Sequence, residues 1–270
     1  MSASKVKNMV ILILLLVNVF LLALVGPSRV RAGLNEQATA QQLSRLFASY
    51  DIALSADAIP HGENLYDQQL SSSTETTILA VQALMGEDAA NVQQRDGLHF
   101  ASSLGEAVLV NGSLTAELRI PAGEPETFTR ECLDRMGLSF SAVTVHTESE
   151  TATVCRVEPM VGGLPVVSTR LSFRYEAGLL TRVEGLLLTS KDTMTVSGTQ
   201  RCITAADALV DFLGSRLSTG WLGSRIDSME QGWSLTRGAG GSFSLRPVWR
   251  LNTDAGVCLV NGITGTVSLQ

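Results

Sequence analysis

Read as apolar and polar positions, the chain opens on one unbroken apolar run and then settles into short alternating and helical-period patterns. Met9–Val25 carries no charge, with Lys5 and Lys7 ahead of it and Gly26-Pro27 behind. A helix rises about 1.5 Å per residue, so these seventeen residues just cross a hydrocarbon core of about 30 Å. The run predicts a transmembrane anchor at 9–25 with a cytoplasmic tail at 1–8. A cleaved signal peptide is the competing reading, because Val30-Arg31-Ala32 offers a small-residue cleavage position. The length of the run, and Arg29 and Arg31 between it and that position, favour the anchor.

Beyond the anchor the pattern predicts an α+β ectodomain of tandem helix-plus-antiparallel-sheet modules, at 34–120, 121–190 and 191–270. The first helix starts at Asn35, with Leu43, Leu46, Phe47 and Tyr50 at helical spacing. A short Ile52-Ala53-Leu54 stretch follows, and polar, turn-rich residues His61 to Ser73 read as a loop. Ser72-Ser73-Thr74-Glu75 has the look of a capping box before a helix carrying Ile78, Val81 and Met85, stopped by Gly86. Alternation predicts strands at Leu98–Ser102, Ala107–Val110 and Ser113–Ile120, the last two joined by a hairpin turn at Asn111-Gly112.

The second module predicts a helix at Thr127–Met136, ended by Gly137, with Phe128, Cys132 and Met136 on one side. Strands follow at Phe140–His146 and Thr151–Val157. Val167, Thr169, Leu171, Phe173 and Tyr175 then alternate, and a turn at Glu176-Ala177-Gly178 returns the chain through Leu180–Leu188. The third module repeats that order. Thr204 caps a helix with Asp207 in its first turn and Ala206, Leu209, Val210, Leu213 and Leu217 as its buried face. Strands are predicted around Ser228–Leu235, Ser242–Leu245, Val257–Val260 and Gly265–Leu269. Arg246-Pro247-Val248-Trp249 and Asp254-Ala255-Gly256 echo Leu164–Val167 and Glu176–Gly178.

Charge changes the picture little. Lys5, Lys7 and the amino terminus nearly balance Arg29 and Arg31, so the positive-inside rule alone does not orient the anchor. The composition of the long downstream segment places the amino terminus inside and the carboxyl-terminal domain outside the membrane. A formal net charge of −6 argues against a nucleic-acid partner, and 5% aromatic residues argue against sugar or base-stacking platforms. The four cysteines, Cys132, Cys155, Cys202 and Cys258, permit two disulfides in three connectivities, but most fall in apolar patterns where a thiol acts as a small buried hydrophobe.

Candidate chemistry is sparse, and no catalytic residue, cofactor or metal is expected. His61, His99 and His146 are far apart with no ligand at metal spacing. Ser71-Ser72-Ser73 with His61 and Asp67 lacks a strained elbow to expose a nucleophile. Gly238-Ala239-Gly240-Gly241 lacks the Lys-Ser/Thr of a phosphate loop and reads as a hairpin tip. Glu148 and Glu150 read as a solvated rim. The residue singled out is Asn18, a polar interruption of the anchor. An Asn in hydrocarbon either bonds across a helix–helix seam, worth roughly 0.6–2 kcal/mol, or satisfies itself on its own helix.

Three stretches carry a family resemblance. Leu16-Val17-Asn18-Val19-Phe20-Leu21-Leu22 within a short basic start, Leu46…Tyr50-Asp51-Ile52-Ala53-Leu54…Ile59-Pro60, and Pro247-Val248-Trp249-Arg250-Leu251…Val260-Asn261-Gly262-Ile263-Thr264-Gly265 together resemble the YycH/YycI-type regulatory proteins of Gram-positive bacteria, more closely the YycI branch. The last pattern is also similar to PepSY-type domains. The resemblance implies a single-pass extracytoplasmic regulator at the cell membrane. Its partners would be a sensor histidine kinase of cell-wall homeostasis and a sister YycH-type protein, with Asn18 and Phe20 on the transmembrane seam. The alternative from another class is a secreted or anchored enzyme or protease inhibitor built on PepSY-like modules, which cleavage after Ala32 would favour.

Overall fold

A computed structural model describes residues 37–86, 88–219, 223–238 and 242–270. The fold is α+β, with four α-helices and two large sheets among the described residues. No helix among them is long and apolar enough to cross a membrane, and the 9–25 run lies outside them.

The hydrogen bonds group the chain by sheet rather than by chain order. One body, the inner one, is a nine-stranded antiparallel sheet. It comprises β3 (Ala90–Gln94), β4 (Gly97–Ser102), β5 (Gly105–Val110), β6 (Ser113–Pro121), β7 (Phe140–Thr147), β8 (Ala152–Val161), β9 (Leu164–Pro165), β10 (Leu171–Glu176) and β11 (Leu179–Leu186). The order 3-4-5-6-11-10-8-7 is two four-stranded runs meeting tail to tail, with β6 paired to β11. A helix precedes each run: α2 (Thr74–Met85) and α3 (Pro125–Met136). Val81, Leu84 and Met85 of α2 and Cys132, Leu133 and Met136 of α3 bury against Phe100, Leu114, Val157 and Phe173 of the sheet.

Local chemistry explains these elements. Glu124 caps α3, its carboxylate accepting from the Glu126 and Thr127 amides at 3.1 and 2.7 Å, with Pro125 in the first turn and Gly137 left-handed at the end. Asn111 and Gly112 both take positive φ, as a two-residue turn matched to sheet twist requires, and so do Ala177 and Gly178. At α2, Ser73 is the N-cap residue but its side chain makes no capping bond. Instead the Thr76 and Thr77 hydroxyls donate to the Ser73 carbonyl, so the capping-box expectation fails.

The other body, the outer one, joins both ends of the described chain. Residues 37–48 form α1, followed by β1 (Ala53–Leu54) and β2 (Tyr66–Ser71). After the inner body come β12 (Thr193–Arg201), α4 (Ala205–Thr219), β13 (Arg225–Arg237), β14 (Phe243–Thr253), β15 (Gly256–Asn261) and β16 (Val267–Leu269). β1 lies parallel to the start of β13, while β2 pairs with both β14 and β12. The stretch 37–71, placed by the sequence with 74–120, thus belongs to the carboxyl-terminal sheet. The reason is that Leu43, Phe47, Ile52, Leu54 and Leu70 bury with Phe212, Trp249 and Leu251.

Several helical faces differ from the sequence expectation. In α1, Leu43 and Phe47 face the core, whereas Leu46 is 39% exposed, as is Tyr50 in the turn after the helix. In α4, Ala205, Ala208, Leu209, Phe212 and Leu213 are buried, and Val210 and Leu217 stand out at 51% and 61% exposure. Phe47 stacks on Phe212 with ring centres 6.4 Å apart and planes within 4°, which fixes both helices' rotation. The turn at Asp254-Ala255-Gly256 joins the second and third strands after α4, while Glu176-Ala177-Gly178 joins β10 and β11, the last two strands of the inner sheet in chain order. The sequence echo therefore does not fall on equivalent strand positions.

Candidate functional site

A depression of about 690 Å³ lies at the start of α1 in the outer body. Ala40 and Leu43 of α1, Ile59 of the 56–64 loop and Ile203 before α4 give it an apolar side, with Trp249 at its base. Asp57, His61, Glu63 and Arg201 set mixed charge around it. The sequence builds each wall for a local reason. Thr204 and Asp207 cap α4 reciprocally: the Thr204 hydroxyl donates to the Asp207 carboxylate at 2.7 Å and accepts from the Asp207 amide at 3.2 Å. Trp249, fully buried on β14, donates its indole N–H to the Ile203 carbonyl at 3.0 Å.

The loop is strapped down by Gln231 of β13. Its amide oxygen accepts from the Glu63 N–H at 2.7 Å, and its amide nitrogen donates to the Glu63 carbonyl at 3.1 Å and to the Cys202 sulfur at 3.5 Å. Gly62 lies against the indole, where a Cβ would come within 2.5 Å of the ring. Burial pushes the Cys202 thiol up, which keeps it protonated, and a neutral amide cannot take its proton. This is a hydrogen-bonded wall rather than an acid–base couple.

The residues singled out from the sequence scatter. Asn18 and Phe20 lie outside the described residues. His61 lines the cleft just described, but Ser71 and Ser72 line a second cleft of about 640 Å³ between β2 and the β3–β4 and β5–β6 turns. Asp67 sits on β2 in an ion pair with Arg246 of 3.7 Å, too long for a hydrogen bond. His99 bonds Asp96 at 2.9 Å at the exposed β3–β4 hairpin, and His146 is exposed on β7. Glu148 pairs with Arg174 at 3.0 Å, part of a charged ladder with Glu176 on the open face of the inner sheet. Gly238 begins the β13–β14 connection, its N–H donating to the Ser242 carbonyl. All four cysteines are free and buried, two in each core.

One cluster escaped the sequence reading altogether. Glu158 of β8, its side chain 7% exposed, accepts both terminal guanidinium nitrogens of Arg250 of β14, which is 14% exposed. Glu158 also takes the Ser141 hydroxyl at 2.8 Å and Arg170 at 3.1 Å, and Arg250 holds Glu230 at 2.5 Å. Burial alone pushes the Glu158 carboxyl up. Hydrogen bonds from Arg250 and Ser141, with the charges of Arg250 and Arg170, outweigh it and hold the group below the usual glutamate range. The available signal was a charge inside an apolar strand, Val157-Glu158-Pro159-Met160-Val161.

No family model matches the sequence, and no curated protein matches it. Among solved structures, an uncharacterized protein from Eubacterium rectale is similar at 10% identity and a TM-score of 0.47, over 78% of this chain and 86% of that one. The C-terminal domain of Bacillus megaterium YpeB is similar at 10% identity and a TM-score of 0.39, over 74% of this chain and 99% of that one.

Proposed function

We propose that the chain is a membrane-anchored, extracytoplasmic regulator that acts by holding a partner rather than by making or breaking bonds. The observation that carries this reading is the seating of α1. Eleven residues separate Val25 from Gln37, a reach of at most about 40 Å, and α1 is then locked into the outer core by Leu43 and by Phe47 on Phe212. The Ser44 hydroxyl donates to the Leu54 carbonyl at 2.6 Å, and Arg216 of α4 donates to the Tyr50 carbonyl at 2.7 Å. A force that reaches Gln37 along the chain is thereby passed to a packed body. The cleft of about 690 Å³ opens at this same end, beside Gln37 and Thr39.

The partner class is the one the resemblance implies, a sensor histidine kinase with a sister regulator, met through Asn18 and Phe20 in the membrane and through the ectodomain outside it. Regulation of that kind requires different affinity for the kinase's two signalling states. The test is co-purification of the membrane-extracted full chain with its crosslinked neighbours, comparing the native sequence with Asn18→Leu. Reduced kinase recovery and altered target-gene output are expected. Unchanged recovery and output, or a mature mass that begins after Ala32, would overturn the reading.

A further inference from the structure

The two bodies are joined in an unusual way. The inner body is inserted between β2 and β12, and these strands pair with each other from Ser71↔Thr193 onward, so the chain enters and leaves it through one neck. The buried cores are separate clusters, although Val161, Val166 and Leu186 of the inner body reach the outer one. A further tie among the described residues is the strap from Glu158 to Ser168, beside the packing of Gly112 near Phe243 and of Gly162 near Met194. Within it the Val167 N–H donates to the Trp233 carbonyl at 2.9 Å, Ser168 accepts the Leu235 N–H at 2.7 Å, and the Trp233 indole donates to the Val161 carbonyl at 3.2 Å.

The charges at the strap are distributed so that separation leaves none stranded. On its own body Glu158 keeps Ser141 of β7 and Arg170 of the β9–β10 connection. On its own sheet Arg250 keeps Glu230, its cross-strand neighbour on β13. Breaking a buried pair is costly chiefly because it leaves an uncompensated charge. Here each half retains an opposite charge when the pair parts, and both regain water.

We propose that Glu158–Arg250 is a releasable latch: it holds the strap against β13 and β14, and when it opens the inner body swings about the β2–β12 neck with both sheets intact. This goes beyond the regulator reading, since it holds whichever partner the anchor meets.

Hydrogen exchange on the full chain in detergent tests it, comparing the native sequence with Glu158→Ala. The Val167 and Leu235 amides are expected to exchange about 10- to 100-fold faster, because the variant loses the charge-assisted hydrogen bonds of the latch while Arg250 keeps Glu230. Amides within β5, β6, β14 and β15 should keep their native protection. Unchanged exchange at Val167 and Leu235 would overturn the latch, and so would loss of protection throughout both sheets, which would make the pair a staple of the fold. Glu158→Gln, which keeps the volume and the Ser141 contact, is read by the same criteria should the alanine variant fail to fold.

Discussion

Replacing Phe47 by alanine tests how firmly the first helix is bound to the body that ends the chain. The ring is fully buried, and an aromatic of this kind removes about 200 Å² from water, or about 5 kcal/mol at about 25 cal/mol per Å². That is an upper bound, because the unfolded chain already hides part of this area. Cavity formation and loss of the Phe212 stack bring the expected cost to about 3–5 kcal/mol, within the range for large aromatic truncations. Leu46, one residue earlier and 39% exposed, should cost only about 0.5 kcal/mol when made alanine. Parallel urea titrations of the two variants, followed by tryptophan fluorescence, check this, since Trp249 and Trp233 both lie in the same core as Phe47. Equal destabilisation by the two substitutions would refute the assigned helix face, and with it the argument that a force at Gln37 reaches the outer body.

Three further outcomes are expected. The native protein should leave all four thiols unreacted with a disulfide reagent, and four should react after unfolding without reductant; fewer than four would mean that cysteines pair. Because the Glu158 carboxyl is held below its unfolded value, its contribution to stability is complete above the ordinary glutamate range and disappears as pH falls through the folded value. Denaturation midpoints compared down the acid range should therefore converge for the native protein and Glu158→Gln, and a gap that widens toward acid would contradict the sign. Gly62→Ala forces a methyl against the Trp249 ring, with an expected cost of about 1–3 kcal/mol and a shifted tryptophan emission; native stability with native emission would show the loop to be slack.

The sequence patterns located elements better than they located partners. Half-buried strands such as β6 and β10 alternate cleanly, and Asn111-Gly112 set its hairpin, because one face of each strand is wet and the other dry. Residues 66–71 form β2 where the sequence predicts a loop, and the sequence predicts no strand at β3; β2 fully buries only Leu70 and β3 is exposed along its whole length, so neither alternates clearly. Val210 and Leu217 of α4 fit the helical period of its buried face but are exposed, because the helix turns Phe212 toward Phe47. Sheet membership was illegible for a different reason: Ala53 meets Arg225, and no local pattern encodes a partner so distant. The cleft has the same origin, being assembled from α1, the 56–64 loop, the segment before α4 and Trp249. Glu158 and Arg250 acquire their meaning only when two strands 92 positions apart are brought together.

The insertion of one body inside the other also dictates an order of assembly. The inner body is made as one continuous segment with its own core, so it can complete itself as soon as β11 has emerged. The first-made segment cannot, because Leu54 waits for Ile226 and Leu70 for Phe243. At roughly 5–20 residues per second, that interval is on the order of ten to thirty seconds of synthesis. Until it ends, Leu43 and Phe47 lack the sheet side of their core, Trp249 and Leu251 included. The helix α1 is thus packed only when the outer sheet closes, and those seconds are when a newborn chain is most exposed to miscapture by a neighbour.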